Sequence, residues 1–95
     1  PPKNLPLTAA ERAPYVGRYT LTKPDGSPLP VQILDEHDGL VAMIDNENSK
    51  LQFQGGHTFV AQRQGRIEFD VANGKVTGFV LNPGGVRPLE AVRGR

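Results

Sequence analysis

The sequence predicts an all-β domain: a small antiparallel up-and-down eight-stranded β-barrel, preceded by a short N-terminal helical turn. Three observations carry this reading. Apolar and polar side chains alternate with period two in segments of strand length. Turn-forming residues separate those segments at short intervals. Gly and Pro, 11 and 9 of 95 residues, are too frequent for a mainly helical chain. About 100 residues build one hydrophobic core, so the chain divides into a linker, residues 1–14, and a single domain, residues 15–95.

Within the linker, Thr8-Ala9-Ala10-Glu11-Arg12 has the spacing of a capping box, with Thr8 as N-cap and Glu11 at the third helical position. Strand segments follow at 15–22, 29–35, 40–45, 50–54, 57–62, 66–71, 75–81 and 87–93. The breaks between them are Pro24-Asp25-Gly26-Ser27-Pro28, His37-Asp38-Gly39, Asn46-Glu47-Asn48-Ser49, Gly55-Gly56, Gln64-Gly65, Asn73-Gly74 and Pro83-Gly84-Gly85. Connections this short join antiparallel neighbours, and Asn73-Gly74 is a type I′ hairpin signal because both residues tolerate positive φ. Ile67, Phe69 and Val71 alternate with Arg66, Glu68 and Asp70, so one face is buried and one is wet. A flat meander of eight strands would leave two open edges. Pairing the first strand with the last removes them and makes a barrel, closed or partly open.

The lining expected of that barrel is Tyr19, Leu21, Val31, Ile33, Leu40, Ala42, Ile44, Phe53, Phe59, Ile67, Phe69, Val71, Phe79, Leu81, Leu89 and Ala91. Among these, Tyr19, Ile33, Phe53, Phe59, Phe69 and Phe79 are the residues that would touch a small apolar ligand in the lumen. Four Phe and two Tyr in so short a barrel also suffice to fill it. At the ends of the chain, Tyr15, Gly17, Tyr19 and Leu21 share one face of the first strand, and Leu89, Ala91 and Arg93 share one face of the last. Closure would bring Arg93 over Tyr19 or Tyr15, with Gly17 leaving room for a crossing side chain. Tyr15, Gly17, Tyr19 and Arg93 are therefore the expected closure residues.

Tyr15-Val16-Gly17-Arg18-Tyr19, Gly39-Leu40, the Phe59 strand, Gly74-Lys75-Val76-Thr77-Gly78-Phe79 and Ala91-Val92-Arg93 resemble a known family. It is the lipocalin-like domain appended C-terminally to beta-lactamase-related, penicillin-binding-protein-like serine hydrolases and peptidases. The resemblance spans residues 7–93. Lipocalins proper carry Gly-x-Trp on the first strand and an Arg on the last; here Gly17-Arg18-Tyr19 replaces the Trp motif. The resemblance implies an accessory barrel in an exported bacterial protein, periplasmic or extracellular. The serine nucleophile would lie in a preceding domain, and the barrel would contact that domain or another copy of itself. The alternative is a stand-alone carrier of a small apolar ligand.

Composition excludes several other classes. The 11 basic and 10 acidic side chains are interspersed, so no net field gathers nucleic acid. Apolar runs such as Val41-Ala42-Met43-Ile44 fall far short of the ~20 residues that span a bilayer. The absence of Cys removes thiolate chemistry and disulfides. Asp35-Glu36-His37-Asp38 concentrates groups that could hold a cation, but consecutive residues running into an Asp-Gly turn read as a solvated hairpin tip. His57 sits at another tip and would meet His37 only on a shared rim. Ser27 and Ser49 lack the surroundings of an activated nucleophile. Neither Gly55-Gly56 nor Pro83-Gly84-Gly85 leads into a helix as a phosphate loop would. No catalytic residue, metal or cofactor is expected.

Overall fold

Eight strands follow one another around a closed barrel, each pairing antiparallel with its neighbours in chain order and the last returning to the first. The structure is a computed structural model describing residues 2–94. The strands are β1 (Gly17–Thr22), β2 (Pro28–Asp35), β3 (Leu40–Ile44), β4 (Glu47–Gly55), β5 (Thr58–Ala61), β6 (Gly65–Ala72), β7 (Lys75–Asn82) and β8 (Leu89–Arg93). A four-residue helix, α1 (Ala9–Arg12), and a 3-10 turn (Ala13–Tyr15) precede them. The fold is the up-and-down barrel that the period and the turns predict.

Local chemistry sets the boundaries. Thr8 accepts a hydrogen bond from the Glu11 N–H while its own N–H donates to the Glu11 carboxylate, so the capping box forms in full. Pro14 then suits the 3-10 turn, and β1 starts only at Gly17, later than the segment read from 15. Asn73 and Gly74 have φ of 53° and 76°, as a type I′ turn requires.

The polar run at 46–49 departs from its reading as a loop. Asp45 and Asn46 make the turn themselves, at φ of 53° and 65°, and Glu47 to Ser49 are already in β4. Ser49 pairs with Ala42 and is buried. At the other end of the chain β8 begins at Leu89 rather than at residue 87, after a Pro88 that cannot donate to a ladder.

The interior belongs to side chains of alternating parity. Ile33, Ala42, Phe59, Ile67 and Phe79 are wholly inaccessible to solvent. Three adjustments follow from the sheet. Leu51 and Ala61 share the inward parity of Phe53 and Phe59 and join the core. A bulge in the β6–β7 ladder, where Asp70 pairs with Gly78 but Val71 with Val76, leaves Thr77 as the extra residue and turns Val76 inward. Val71, expected in the lining, lies at the barrel mouth and remains 39% exposed. Phe53 and Leu89 are half-buried against the same cluster.

Candidate functional site

The aromatic residues expected to line a lumen pack against one another instead of around a space. Phe69 lies 5.5 Å from both Phe59 and Phe79, ring centre to ring centre, in edge-to-face contacts. Tyr19 extends the chain of rings to Phe79 at 5.3 Å, and Phe53 extends it to Phe59 at 5.1 Å. These are favoured aromatic separations, worth about 1 kcal/mol each beyond the burial itself. Ile33 is fully buried in the same cluster. Tyr19, Ile33, Phe59, Phe69 and Phe79 therefore occupy the barrel's centre with their own rings and methyl groups, and Phe53 packs on them from the mouth.

Closure is achieved by Arg93. Its Nη1 donates to the carbonyls of Pro14 and Val76 at 2.7 and 3.2 Å, and its Nη2 to that of Val16 at 2.6 Å. The guanidinium carbon stands 5.6 Å from the centre of the Tyr19 ring. A side chain on Gly17 would intrude here, since its Cβ would come within 3.2 Å of Nη2. The Tyr19 hydroxyl donates to the Tyr15 carbonyl at 2.7 Å, and burial pushes its pKa up to about 12 against the opposing influence of Arg93. The first strand, the last strand and the N-terminal segment are thus tied at one end of the barrel.

That end is where the chemistry-bearing residues collect. Antiparallel order places the 36–39, 56–57 and 73–74 turns on the same rim as the start of β1. The N-terminal segment lies over it. Leu5 donates to the Phe53 carbonyl at 3.0 Å, and the Gln54 side chain exchanges hydrogen bonds with both backbone groups of Lys3. Arg12 is buried, its Nε on Asp35 Oδ1 at 2.8 Å and its Nη1 on the Leu7 carbonyl at 2.7 Å. Asp35 also receives the His37 N–H at 3.0 Å, and that bond first, then the Arg12 guanidinium, hold its pKa below the ordinary value.

His37 and His57 share this rim but have different partners. His57 is anchored through its carbonyl, which accepts from the Phe69 N–H at 2.9 Å, and its Nδ1 lies 2.8 Å from the Tyr15 hydroxyl. The Tyr15 ring packs on Phe59 and Phe69, and its pKa is raised by burial and then by the Glu11 carboxylate. Among the described residues no group of three or more His, Asp or Glu is placed to hold a metal ion.

Two of the surface grooves bear on function. One, of about 630 Å³, crosses the outer face of β1, β2 and β3, where Pro30 and Met43 lie beside Arg18, Gln32 and Asp45. The other, of about 380 Å³, runs between the N-terminal segment and the hairpin tips and includes Glu11, Tyr15, Phe53, His57, Val71 and Val76. Sequence reasoning named neither. Glu11 reads from the sequence only as a helix cap, and Val76 faces the groove only because of the bulge. Compared with family models, with curated proteins and with solved structures, the chain has no significant match in any of the three.

Proposed function

We propose that this chain is a non-catalytic, lipocalin-like accessory domain of an exported bacterial protein, of the kind appended to beta-lactamase-related serine hydrolases and peptidases. It acts through contacts of its outer surface with an adjoining domain or another subunit. The observation that supports this reading is the filled interior: with rings of the barrel's own side chains occupying its centre, recognition falls to the outside. The groove over β1 to β3 offers what a neighbour needs there, apolar atoms of Met43 and Pro30 flanked by the donors and acceptors of Arg18, Gln32 and Asp45. The Arg93 guanidinium over Tyr19 supports the lipocalin-like resemblance, in which a last-strand Arg closes on a first-strand aromatic.

The test begins with the mass of the native protein in its source cells, followed by peptides from this segment. The expected mass is several times 10.3 kDa. Excising the barrel from that parent should then weaken its assembly or activity while leaving its nucleophile reactive toward an acylating probe. A native mass near that of this chain alone, or a parent whose assembly and activity survive the excision unchanged, overturns the proposal.

A further inference from the structure

The groove at the capped mouth carries a charge pattern that its size alone would not reveal. Its 380 Å³ falls within the range of small-molecule sites, and its walls are largely apolar: Leu7, Pro14, Phe53, Val71, Val76 and the ring of Tyr15. Glu11 brings a carboxylate to it, and no Lys or Arg lines it. The Thr8 N–H donates to the Glu11 Oε1 at 2.9 Å, and hydrogen bonding to Thr8 lowers the Glu11 pKa, which favours the carboxylate. Lys75 and Arg93 line an adjoining recess behind Pro14 and Val76, and the Arg93 guanidinium is committed to three carbonyls. The Tyr15 hydroxyl and His57 Nδ1 satisfy each other, which fixes that wall.

We propose that this groove binds a small hydrophobic ammonium compound, an alkyl or arylalkyl amine in its protonated form. Its apolar body lies against Phe53, Tyr15, Val71 and Val76, and its ammonium group meets Glu11. An anion of the same shape is rejected by the same carboxylate. The site belongs to the N-terminal segment and the hairpin tips, away from the outer face of β1 to β3, so it does not depend on whether that face contacts a neighbour.

The experiment titrates the 95-residue chain with 2-phenylethylammonium chloride and follows backbone amide resonances. Saturable shifts are expected at Glu11, Tyr15, His57, Val71 and Gly74. 3-Phenylpropionate, of similar shape and opposite charge, should bind at least about tenfold more weakly. Glu11→Gln is the decisive variant, because Gln also completes a capping box while Asp35 still holds Arg12: residues 5–15 should stay docked at neutral pH while amine affinity drops about tenfold. Val71→Lys, at the exposed edge of the groove, should abolish binding by repulsion. The proposal is overturned by an absence of saturable shifts at millimolar amine, by equal binding of the anion, by affinity unchanged in Glu11→Gln, or by shifts confined to the β1 to β3 face. None of these outcomes bears on the excision experiment above, so the two proposals fail separately.

Discussion

Arg93 shows how one side chain can be held by geometry rather than by charge pairing. Its partners are three backbone carbonyls and an aromatic face, with no carboxylate among them, so the planar fork of the guanidinium matters more than its net charge. Arg93→Lys keeps the charge and loses the fork. One ammonium cannot reach Pro14, Val16 and Val76 together, and at least one carbonyl loses its donor. A loss of about 2 kcal/mol in unfolding free energy is expected, read as a lower urea midpoint at unchanged slope. An unchanged midpoint would mean that the carbonyls are served equally well by water. This contact was legible in the sequence, since Arg93 shares the inward parity of Ala91 and Gly17 leaves a gap opposite. The burial of Arg12 was not. It lies in a polar, Pro-rich stretch without strand periodicity, and the carboxylate that pairs with it, Asp35, is 23 residues further on.

At the scale of elements, the attachment of the N-terminal segment should respond to protonation. The folded-state pKa of Asp35 lies below its ordinary 3.8, because the His37 N–H and the Arg12 guanidinium favour the carboxylate. A depressed carboxylate pKa stabilises the folded arrangement above the unfolded value and loses that contribution as pH falls through the folded value. Glu11, lowered from 4.5 by its capping bonds, acts in the same direction on α1. Acidification below about pH 4 should therefore release residues 5–15 before the barrel itself unfolds. Amide exchange at Arg12 and Tyr15 should speed up while Ile33 and Phe79 stay protected, and Asp35→Asn should produce the same pattern at neutral pH. Simultaneous exchange of that segment and the barrel would argue against a separable element. The strands themselves were legible wherever alternation and a Gly or Pro break coincided, as at Ile67 to Val71 followed by Asn73-Gly74. They were misread where a polar run continued a strand. Glu47, Asn48 and Ser49 look like loop residues, yet the two positive-φ residues that the turn needs, Asp45 and Asn46, had already been supplied before them. The bulge at Thr77 was invisible for a related reason: a two-residue period carries no mark of the point where one residue is skipped.

For the molecule as a whole, the decisive feature is closure, and closure rests on a short seam. Among the described residues β1 meets β8 through three residue pairs, Tyr19 with Arg93, Thr20 with Val92 and Leu21 with Ala91, extended by the Gly94 N–H on the Arg18 carbonyl at 2.8 Å, whereas β1 meets β2 through six. With no cysteine to staple it, the seam holds because the elements on either side keep β8 in place. On the β7 side this requires unusually close backbone approach. Gly78 pairs with Val92, and a Cβ built on it would overlap the Ala91 carbonyl oxygen and crowd the Val92 Cα at 3.3 Å. These atoms belong to backbone inside a ladder, so they cannot rotate away as a flexible side chain would. Gly78→Ala should consequently push β8 off β7 and, because the seam is short, loosen β1 as well. The expected cost is about 2 to 3 kcal/mol. Its signature is faster amide exchange at Tyr19 and Leu21, on the far side of β8, together with a lower midpoint of unfolding. The same substitution should leave the β3–β4 and β4–β5 ladders protected, because their pairing does not involve β8. If exchange rises only at the β7–β8 ladder and β1 keeps its protection, the first strand is held by β2 and Arg93 alone, and the barrel would then open as a sheet without losing its N-terminal segment.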